Sequence, residues 1–564
     1  MPTSTGDTHE KADTAGQFAD ATGTGSLDGF VPWPDDAAAR YRAAGYWRGD
    51  TLGALLRTWA GAWPERTALV DAAGRTTYAE LDLRADRTAA GFAGLGVRPG
   101  DRVVVQLPNT VDFVVVLFAL ARLGAVPALC LPAHRAHEIG HLAALSEAVA
   151  YVIPDTLAGF DHRELAREVR ERVPSLRHVV VAGEPGPDAV ALADVDAAPV
   201  ALPPGPRPED VALLLVSGGT TGLPKLIPRT HDDYAYNARA SAEVCDLTED
   251  DVYMAVLPAA HNFPLACPGI LGILGVGGTA VLAPGPSPDQ AFALVERERV
   301  TVTAVVPPVA DLWSQMWEWE PGDRSSLRLL QVGGARLPAA LARELTPALD
   351  CRVQQVFGMA EGLLNYTRTG DSDEIVAESQ GRPLSPDDEV RIVDGDGSPV
   401  AEGEVGELLT RGPYTIRGYY RVPDHNANAF TPDGFYRSGD LVRRLPSGHL
   451  VVEGRIKEVV NRGGEGVPAG ELEDHLTAHP KIRQAAVIPL PDRVLGERVC
   501  AILVPADPAD PPTLPELKTF LAEAGLAPYK TPDTIRIAAA FPRTPVGKID
   551  KRSLADQANA LPTG

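Results

Sequence analysis

From Thr51 onward the sequence alternates short β-branched runs with amphipathic stretches, and this alternation limits the possible folds more than any other feature. Arg102–Gln106 (RVVVQ), Val149–Ile153 (VAYVI), Val179–Ala182 and Thr301–Val306 are near-continuous apolar runs. Such runs read as strands buried on both faces, as in parallel sheets. Between them, Tyr78–Leu95 and Pro288–Arg299 carry apolar residues at helical spacing. Strands alternating with helices predict parallel βαβ units in a layered α/β body. Around Val400–Arg443 the texture changes to short strands punctuated by glycine, which predicts an antiparallel β-subdomain. Farther on, predicted helices at Ala469–Ala478 and Leu514–Ala524 alternate with strands at Gln484–Ile488 and Val499–Val504, an α+β pattern. Pro199–Pro208 and Pro508–Pro515 read as exposed connectors. A chain of 564 residues has room for about two to four domains.

Composition then removes whole classes of function. With 45% hydrophobic and 23% charged residues the chain is globular, neither disordered nor fibrous. Its 52 Lys+Arg against 75 Asp+Glu give a net charge of −23, which repels phosphate backbones and anionic lipid. No nucleic-acid or membrane partner is therefore expected. Cys130, Cys245, Cys267, Cys351 and Cys500 lie far apart with no CxxC pair, against a zinc site or a disulfide framework. Met1 to about Ser26 lacks an apolar core and reads as a disordered tail and not as a signal peptide. Phe113–Ala121 is bracketed by Asp112 and Arg122, and Leu265–Gly285 is broken by six glycines and two prolines into a short helix and a strand. Neither spans a membrane. A soluble protein of the reducing cytoplasm is expected.

The most informative loop follows the apolar run Val211–Val216. It reads SGGTTGLPK, Ser217 to Lys225. Gly218 and Gly219 allow a tight turn that aims backbone N–H groups inward as an anion nest. Ser217, Thr220 and Thr221 add hydroxyl donors, and Lys225 adds a mobile cation. That is chemistry for holding a polyphosphate. It is not a Walker A loop, because Leu226 stands where Ser or Thr should follow the lysine.

The whole string resembles the phosphate loop of the adenylate-forming superfamily, which includes acyl-CoA synthetases, peptide-synthetase adenylation domains and luciferases. Further matches come in the family's order. QVFGMAE (Gln355–Glu361) is similar to the YGxTE segment, YRSGD (Tyr436–Asp440) to (Y/W)xxGD, GRIK (Gly454–Lys457) to the GRxK hinge, and PVGK (Pro545–Lys548) to the C-terminal GK. The resemblance covers essentially Trp33 to Leu554. It implies a large N-terminal adenylating domain over 30–454, built from two α/β subdomains and a small β-barrel. After a tail over 1–29 and a hinge at 455–457, a small mobile α+β domain would span 458–564.

The resemblance also implies a reaction. A carboxylate attacks the α-phosphate of ATP, leaving an acyl-adenylate and pyrophosphate, with Mg²⁺ as the metal cofactor. Two anions must meet, so cations and N–H donors have to neutralise the phosphorus centre. By resemblance, Thr220, Thr221 and Lys225 belong to the loop around the β- and γ-phosphates, with Ser217, Gly218 and Gly219. Glu361 is the implied Mg²⁺ ligand. Asp440 would take both ribose hydroxyls, and Arg455 would contact ribose and phosphate. Gly333, Gly334, Ala335 and Arg336 would let a flat purine approach, with Phe357 stacked on it between Val356 and Gly358. Lys548 would bridge the carboxylate and the α-phosphate. Lys457 would be the pivot about which the small domain turns for thiol transfer.

The string AHNFPLACPG (Ala260–Gly269), together with IPRTHDDYAYN and QVFGMAEGLLNYTR, resembles stand-alone aryl-acid adenylating enzymes of siderophore-type pathways. His261, Asn262, Phe263, Cys267, Gly333 and Leu364 then line the acid pocket. Amino-acid-activating relatives carry aspartate where Asn262 stands; an amide cannot neutralise a buried ammonium. Relatives that take 2,3-dihydroxybenzoate tend to carry Ser and Val where this chain has Cys267 and Leu364. A thiol donates poorly and leucine adds a methylene, so a 3-hydroxyl would go unpaired. Salicylate is the expected substrate, with 2,3-dihydroxybenzoate and 3-hydroxyanthranilate as alternatives. The expected acceptor is the phosphopantetheine thiol of an aryl carrier protein in trans, since no carrier segment follows Lys548 in this sequence. Free CoA, as in an aryl-CoA synthetase, is the alternative. Related aryl-acid enzymes read NRGGEK where this chain has Gly466, in the loop expected to face that acceptor. A non-catalytic nucleotide-binding relative would be expected to lose Lys548 or Glu361, and both are present.

Overall fold

The computed structural model describes residues 27–198, 202–217, 223–462, 465–492, 496–524, 526, 530–544 and 547–558. The alternation seen in the sequence becomes two large sheets. The first, of nine strands, runs in the order Arg382–Pro383, Gly362–Tyr366, Arg352–Met359, Leu329–Gly333, Val302–Val305, Val252–Ala255, Thr279–Leu282, Thr67–Asp71, Gly74–Thr77. Its centre is parallel and its two ends are antiparallel. The second, of seven strands, is ordered Leu226–Thr230, Val211–Val216, Val126–Leu129, Arg102–Val105, Ala150–Pro154, His178–Ala182, Val190–Ala191. It is parallel except for the hairpin of its first two strands.

Helices cover these sheets, which is why the central strands are apolar on both faces. Val111–Leu123 is buried along almost its whole length and ends at Gly124 in the left-handed region, φ +76°. Tyr78–Gly94 starts from a full capping box between Thr77 and Glu80, which satisfies N–H groups that the helix itself leaves open. Among the described residues no helix is long and apolar enough to cross a membrane. Where the sequence predicts one helix before the strand Thr279–Leu282, two form, Asn262–Ala266 and Gly269–Gly275. The five cysteines are free and buried.

The β-rich piece is a four-stranded antiparallel meander, Glu389–Val393, Gly406–Arg411, Tyr436–Arg444 and Leu450–Arg455. It begins before Val400, because the first strand is rich in charge and carries no glycine signal. The small domain pairs the long strands Ile482–Asp492 and Gly496–Pro505, flanked by Val459–Arg462, Glu465–Pro468 and Thr534–Ile537. The helices Ala469–Thr477 and Leu514–Glu523 bury Leu472, Leu476, Leu517 and Leu521 on one face of that sheet. The reading of Met1–Ser26 as a tail lies outside the described residues. Leu27–Gly29, placed in the same tail by sequence, are instead packed. Leu27 joins an apolar cluster, the Gly29 carbonyl accepts from Arg421 N at 3.2 Å, and Asp28 pairs with Arg421 at 3.1 Å.

Candidate active site

The loop that follows Val211–Val216 is the turn of a hairpin, since Leu226–Thr230 returns antiparallel beside it. Its base is pinned twice: Ser217 N donates to the Lys225 carbonyl and Lys225 N to Ser217 Oγ, both at 2.9 Å. Gly218, Gly219, Thr220 and Thr221 lie outside the described residues. The Lys225 ammonium stands 5.7 Å from the centre of the Tyr419 ring, a cation–π distance. The Tyr419 hydroxyl donates to Glu361 Oε1 at 2.7 Å and lies 2.9 Å from the Tyr436 hydroxyl. Glu361 is thus a buried carboxylate, 8% exposed, held by a tyrosine pair and facing the phosphate loop's lysine. Tyr419 was not singled out by sequence, because the segment GYY carries no motif of its own.

Asp440 lies near the middle of the strand Tyr436–Arg444 and is 4% exposed. Arg455 Nε donates to its Oδ1 at 2.8 Å, and its own N–H donates to Ser438 Oγ at 3.0 Å. Burial pushes the Asp440 carboxyl up, and the guanidinium of Arg455 opposes that shift. The same pairing raises Arg455. Lys457 belongs to the single turn Ile456–Glu458, and its side chain lies outside the described residues.

Lys548 reaches this cluster from the small domain. It closes a turn in which Thr544 N donates to the Lys548 carbonyl at 2.7 Å and Gly547 N to the Thr544 carbonyl at 2.8 Å. Gly547 sits at φ +83°, where a side chain would be strained, and an added Cβ would come within 2.9 Å of Val306 Cγ2. Glycine there lets the turn press against the large domain. Lys548 Cε lies 3.9 Å from where a Cβ on Gly334 would stand. Burial holds the ammonium of Lys548 below its ordinary range, and repulsion from Arg455 adds to this; Asp440, Glu458 and Glu361 act in the other direction. The His261 imidazole is pushed down to about 4, first by burial and then by the charge on Lys548. It is neutral at physiological pH, and its Nδ1 accepts from Phe263 N at 3.2 Å.

Gly333 ends a buried strand beside this cluster, and Gly334 follows it in a bend. A Cβ on Gly333 would meet the Val356 carbonyl at 2.6 Å and the Phe263 ring at 3.0 Å. Only glycine allows that approach. Phe357 is half-buried against Leu363, Leu408, Val442 and Leu450, and Ala335 is exposed. Arg336, expected beside a purine, is drawn elsewhere. Its guanidinium lies 2.5 Å from Asp474 in the small domain and 3.7 Å from Glu453. Two carboxylates, Glu453 on the β-meander and Asp474 across the interdomain cleft, attract it more strongly than an uncharged ring could, and no sequence spacing places them there.

The residues that the sequence assigns to an acid pocket centre on Asn262, which is buried. Its Oδ1 accepts from the Tyr234 hydroxyl at 2.9 Å and its Nδ2 donates to Cys267 Sγ at 3.3 Å. The Cys267 thiol is pushed up to about 12 by burial, so it stays neutral. Leu364 rests directly on Gly358, where an added Cβ would come within 2.4 Å of Leu364 Cδ2. Its backbone N–H donates to the Tyr414 hydroxyl at 3.0 Å, and that hydroxyl donates to Asp388 Oδ2 at 2.5 Å. The structure therefore brings Glu361, Asp440, Arg455 and Lys548 together, with Asn262, Phe263, Cys267 and Leu364 alongside.

The profile of the AMP-binding enzyme family matches residues 56–420, and that of the AMP-binding enzyme C-terminal domain matches 471–548. The salicyl-AMP ligase / salicyl-S-ArCP synthetase of Mycobacterium tuberculosis is 56% identical, over 94% of this chain and 95% of its own length. The 2,3-dihydroxybenzoate-AMP ligase of Bacillus subtilis is 53% identical, over 94% and 98%. The apo structure of MbtA from Mycobacterium smegmatis superposes with a TM-score of 0.74 at 54% identity, covering 94% of this chain and 99% of that one. The two family profiles between them span the buried carboxylate Glu361, the loop lysine Lys225 and the small-domain lysine Lys548. The chain belongs to the adenylate-forming AMP-binding enzyme family and is a ligase.

Proposed function

We propose that the protein joins salicylate to AMP and then passes the salicyl group to the phosphopantetheine thiol of a carrier protein supplied in trans. The observation that carries the substrate is the buried pair Asn262–Cys267. A neutral amide fixed by Tyr234 offers no counter-charge for an ammonium, which disfavours amino acids. A neutral thiol beside it is a poor partner for a ring 3-hydroxyl. A relative 56% identical to this chain is named for salicylate, which agrees.

In this reading Asn262 donates to the substrate's polar groups, and Phe263 and Leu364 wall the ring. Asp440 orients the ribose, its carboxylate held by Arg455. Lys225 neutralises the outer phosphates. The α-phosphate must accept an approaching carboxylate, so charge builds up on its oxygens. Lys548, already inside the cleft among Asp440, Glu361 and Arg455, supplies the compensating ammonium. Glu361 fits Mg²⁺: it is a buried carboxylate oriented by Tyr419, and Mg²⁺ on a nucleotide takes one or two carboxylates plus phosphate oxygens. When bound, that ion would offset the phosphate charge. The small domain over 458–564 then turns about 455–457, removes Lys548 and opens a path for the thiol.

The test is ATP–pyrophosphate exchange by the purified protein with salicylate, 2,3-dihydroxybenzoate, 3-hydroxyanthranilate, benzoate and the proteinogenic amino acids. Strongest exchange with salicylate supports the reading. A preference for the aminated or dihydroxylated ring keeps the enzyme class and sinks the pocket assignment. Transfer assays with a phosphopantetheinylated carrier and with free CoA decide the acceptor.

A further inference from the structure

Arg229 has no place in the chemistry above, yet it is fully buried, 0% exposed, and three of its nitrogens bind in three directions. Nε donates to Asp233 Oδ1 at 2.7 Å, which balances its charge. Nη1 donates to the carbonyl of Ala360 at 3.0 Å, one residue before Glu361. Nη2 donates to Asn237 Oδ1 at 3.2 Å. Asn237 passes the contact on: its Nδ2 donates to the Ala266 carbonyl at 2.6 Å and lies 4.0 Å from Cys267 Sγ. The guanidinium also stands 4.8 Å from the centre of the Tyr234 ring, whose hydroxyl holds Asn262. One cation thus reaches the carboxylate loop on one side and both polar groups of the acid pocket on the other.

Burying a guanidinium is costly, and an apolar core of the same volume would serve stability at least as well. A planar fork with fixed donor directions, however, can hold two loops at a set separation, which a lysine cannot. Adenylate formation needs that separation, because the acid oxygen must meet the α-phosphate at near-attack distance. We propose that Arg229 is a positioning residue that sets the aryl-acid pocket and the Glu361 loop in register, acting through Asn237 and Tyr234 on one side and the Ala360 carbonyl on the other. This inference rests on the aryl-acid reading of the pocket.

Two conservative variants separate positioning from plain stability. Asn237→Ser leaves the Asp233, Ala360 and Tyr234 contacts of Arg229 in place and cuts the Asn237 arm to the acid pocket. It is expected to raise KM for salicylate, and the dissociation constant for salicylate measured by fluorescence without ATP, about tenfold, with KM for ATP within about twofold. Arg229→Lys keeps a charge opposite Asp233 but cannot span both loops. It is expected to raise KM for both substrates and to lower kcat by about 10- to 100-fold. If both variants melt lower than wild type but show unchanged KM values and unchanged salicylate affinity, Arg229 is only structural and the inference is overturned. Should Arg229→Lys fail to fold, Asn237→Ser decides alone by the same criterion. Wild-type exchange runs in parallel: no exchange with any aryl acid removes the functional reading and this inference with it, whereas an active wild type with unmoved variants removes only the role of Arg229.

Discussion

On the proposed reading, Cys267 and Leu364 exclude a ring 3-hydroxyl to an extent set by their own contacts. Cys267 Sγ is already engaged, accepting from Asn262 Nδ2 at 3.3 Å and lying 3.5 Å from the Asn262 carbonyl. Its thiol is neutral and weakly polar. A catechol 3-hydroxyl buried against it would forfeit about 1–3 kcal/mol, which corresponds to roughly a fivefold to hundredfold loss in kcat/KM. Cys267→Ser replaces sulfur with a hydroxyl that donates and accepts, and should recover most of that. Leu364 is pressed onto Gly358 and pinned by Tyr414, so it cannot retreat. Leu364→Val removes one methylene, worth about 1 kcal/mol or roughly fivefold. The two side chains belong to one pocket, so their effects couple and the sum is an upper limit. The double variant should shift the ratio of kcat/KM, 2,3-dihydroxybenzoate over salicylate, by about 10- to 100-fold in pyrophosphate exchange. A ratio within about twofold of wild type, in a variant that melts normally, would refute the argument that these residues read the 3-position.

Four more outcomes are expected. Lys548→Ala should slow adenylation by about 10²–10³ while leaving transfer from preformed adenylate largely intact; near-normal exchange would remove Lys548 from its role. Because burial holds the ammonium of Lys548 below its ordinary 10.5 in the nucleotide-free enzyme and only the protonated form acts, the alkaline limb of kcat/KM for ATP should fall below that pH and vanish in Lys548→Arg. Glu361→Gln should raise the Mg²⁺ concentration needed for half-maximal exchange, with KM for salicylate little changed; an unaltered Mg²⁺ titration would argue against Glu361 as the ligand. Asp388 is buried and its carboxyl is pushed up to about 7 by desolvation. The folded state therefore keeps a proton that the unfolded chain has already lost, so the contribution of Asp388 to stability should fall by about 1.4 kcal/mol per pH unit between the unfolded value near 4 and 7. Asp388→Asn should flatten that slope in melting curves taken from pH 5 to 8.

Much of the fold was legible because strand runs such as Val179–Ala182 and Val211–Val216 announce themselves by composition alone, and helix starts such as Thr77 carry their own caps. Glu361, Asp440 and Lys548, which the structure gathers, stand out in short local strings. Each string is local because the backbone turn it needs is local. What joins the strings was not legible. Tyr419 meets Glu361 from 58 positions away, and Arg336 turns to Asp474 in another domain. Neither contact leaves a trace in spacing or composition.

The same contrast explains why the acid pocket could be read for its class of substrate before its construction was known. Asn262 and Cys267 lie on one short segment, so the absence of an acidic group opposite an ammonium could be read directly from neighbouring letters. The rigidity of that segment comes from farther away. Asn262 is fixed by Tyr234, 28 residues earlier, and Leu364 by Tyr414, 50 residues later. Arg229 in turn ties the Tyr234 side of the pocket to the Ala360 carbonyl across 131 residues. On the proposed reading, chemical selectivity resides in side chains that the sequence displays openly, and the geometric precision that adenylate formation demands resides in buried polar contacts that only folding brings together. A variant series directed at the first group should change which acid is used. One directed at the second should change how well any acid is aligned, and the two series should differ in whether kcat for the preferred acid falls.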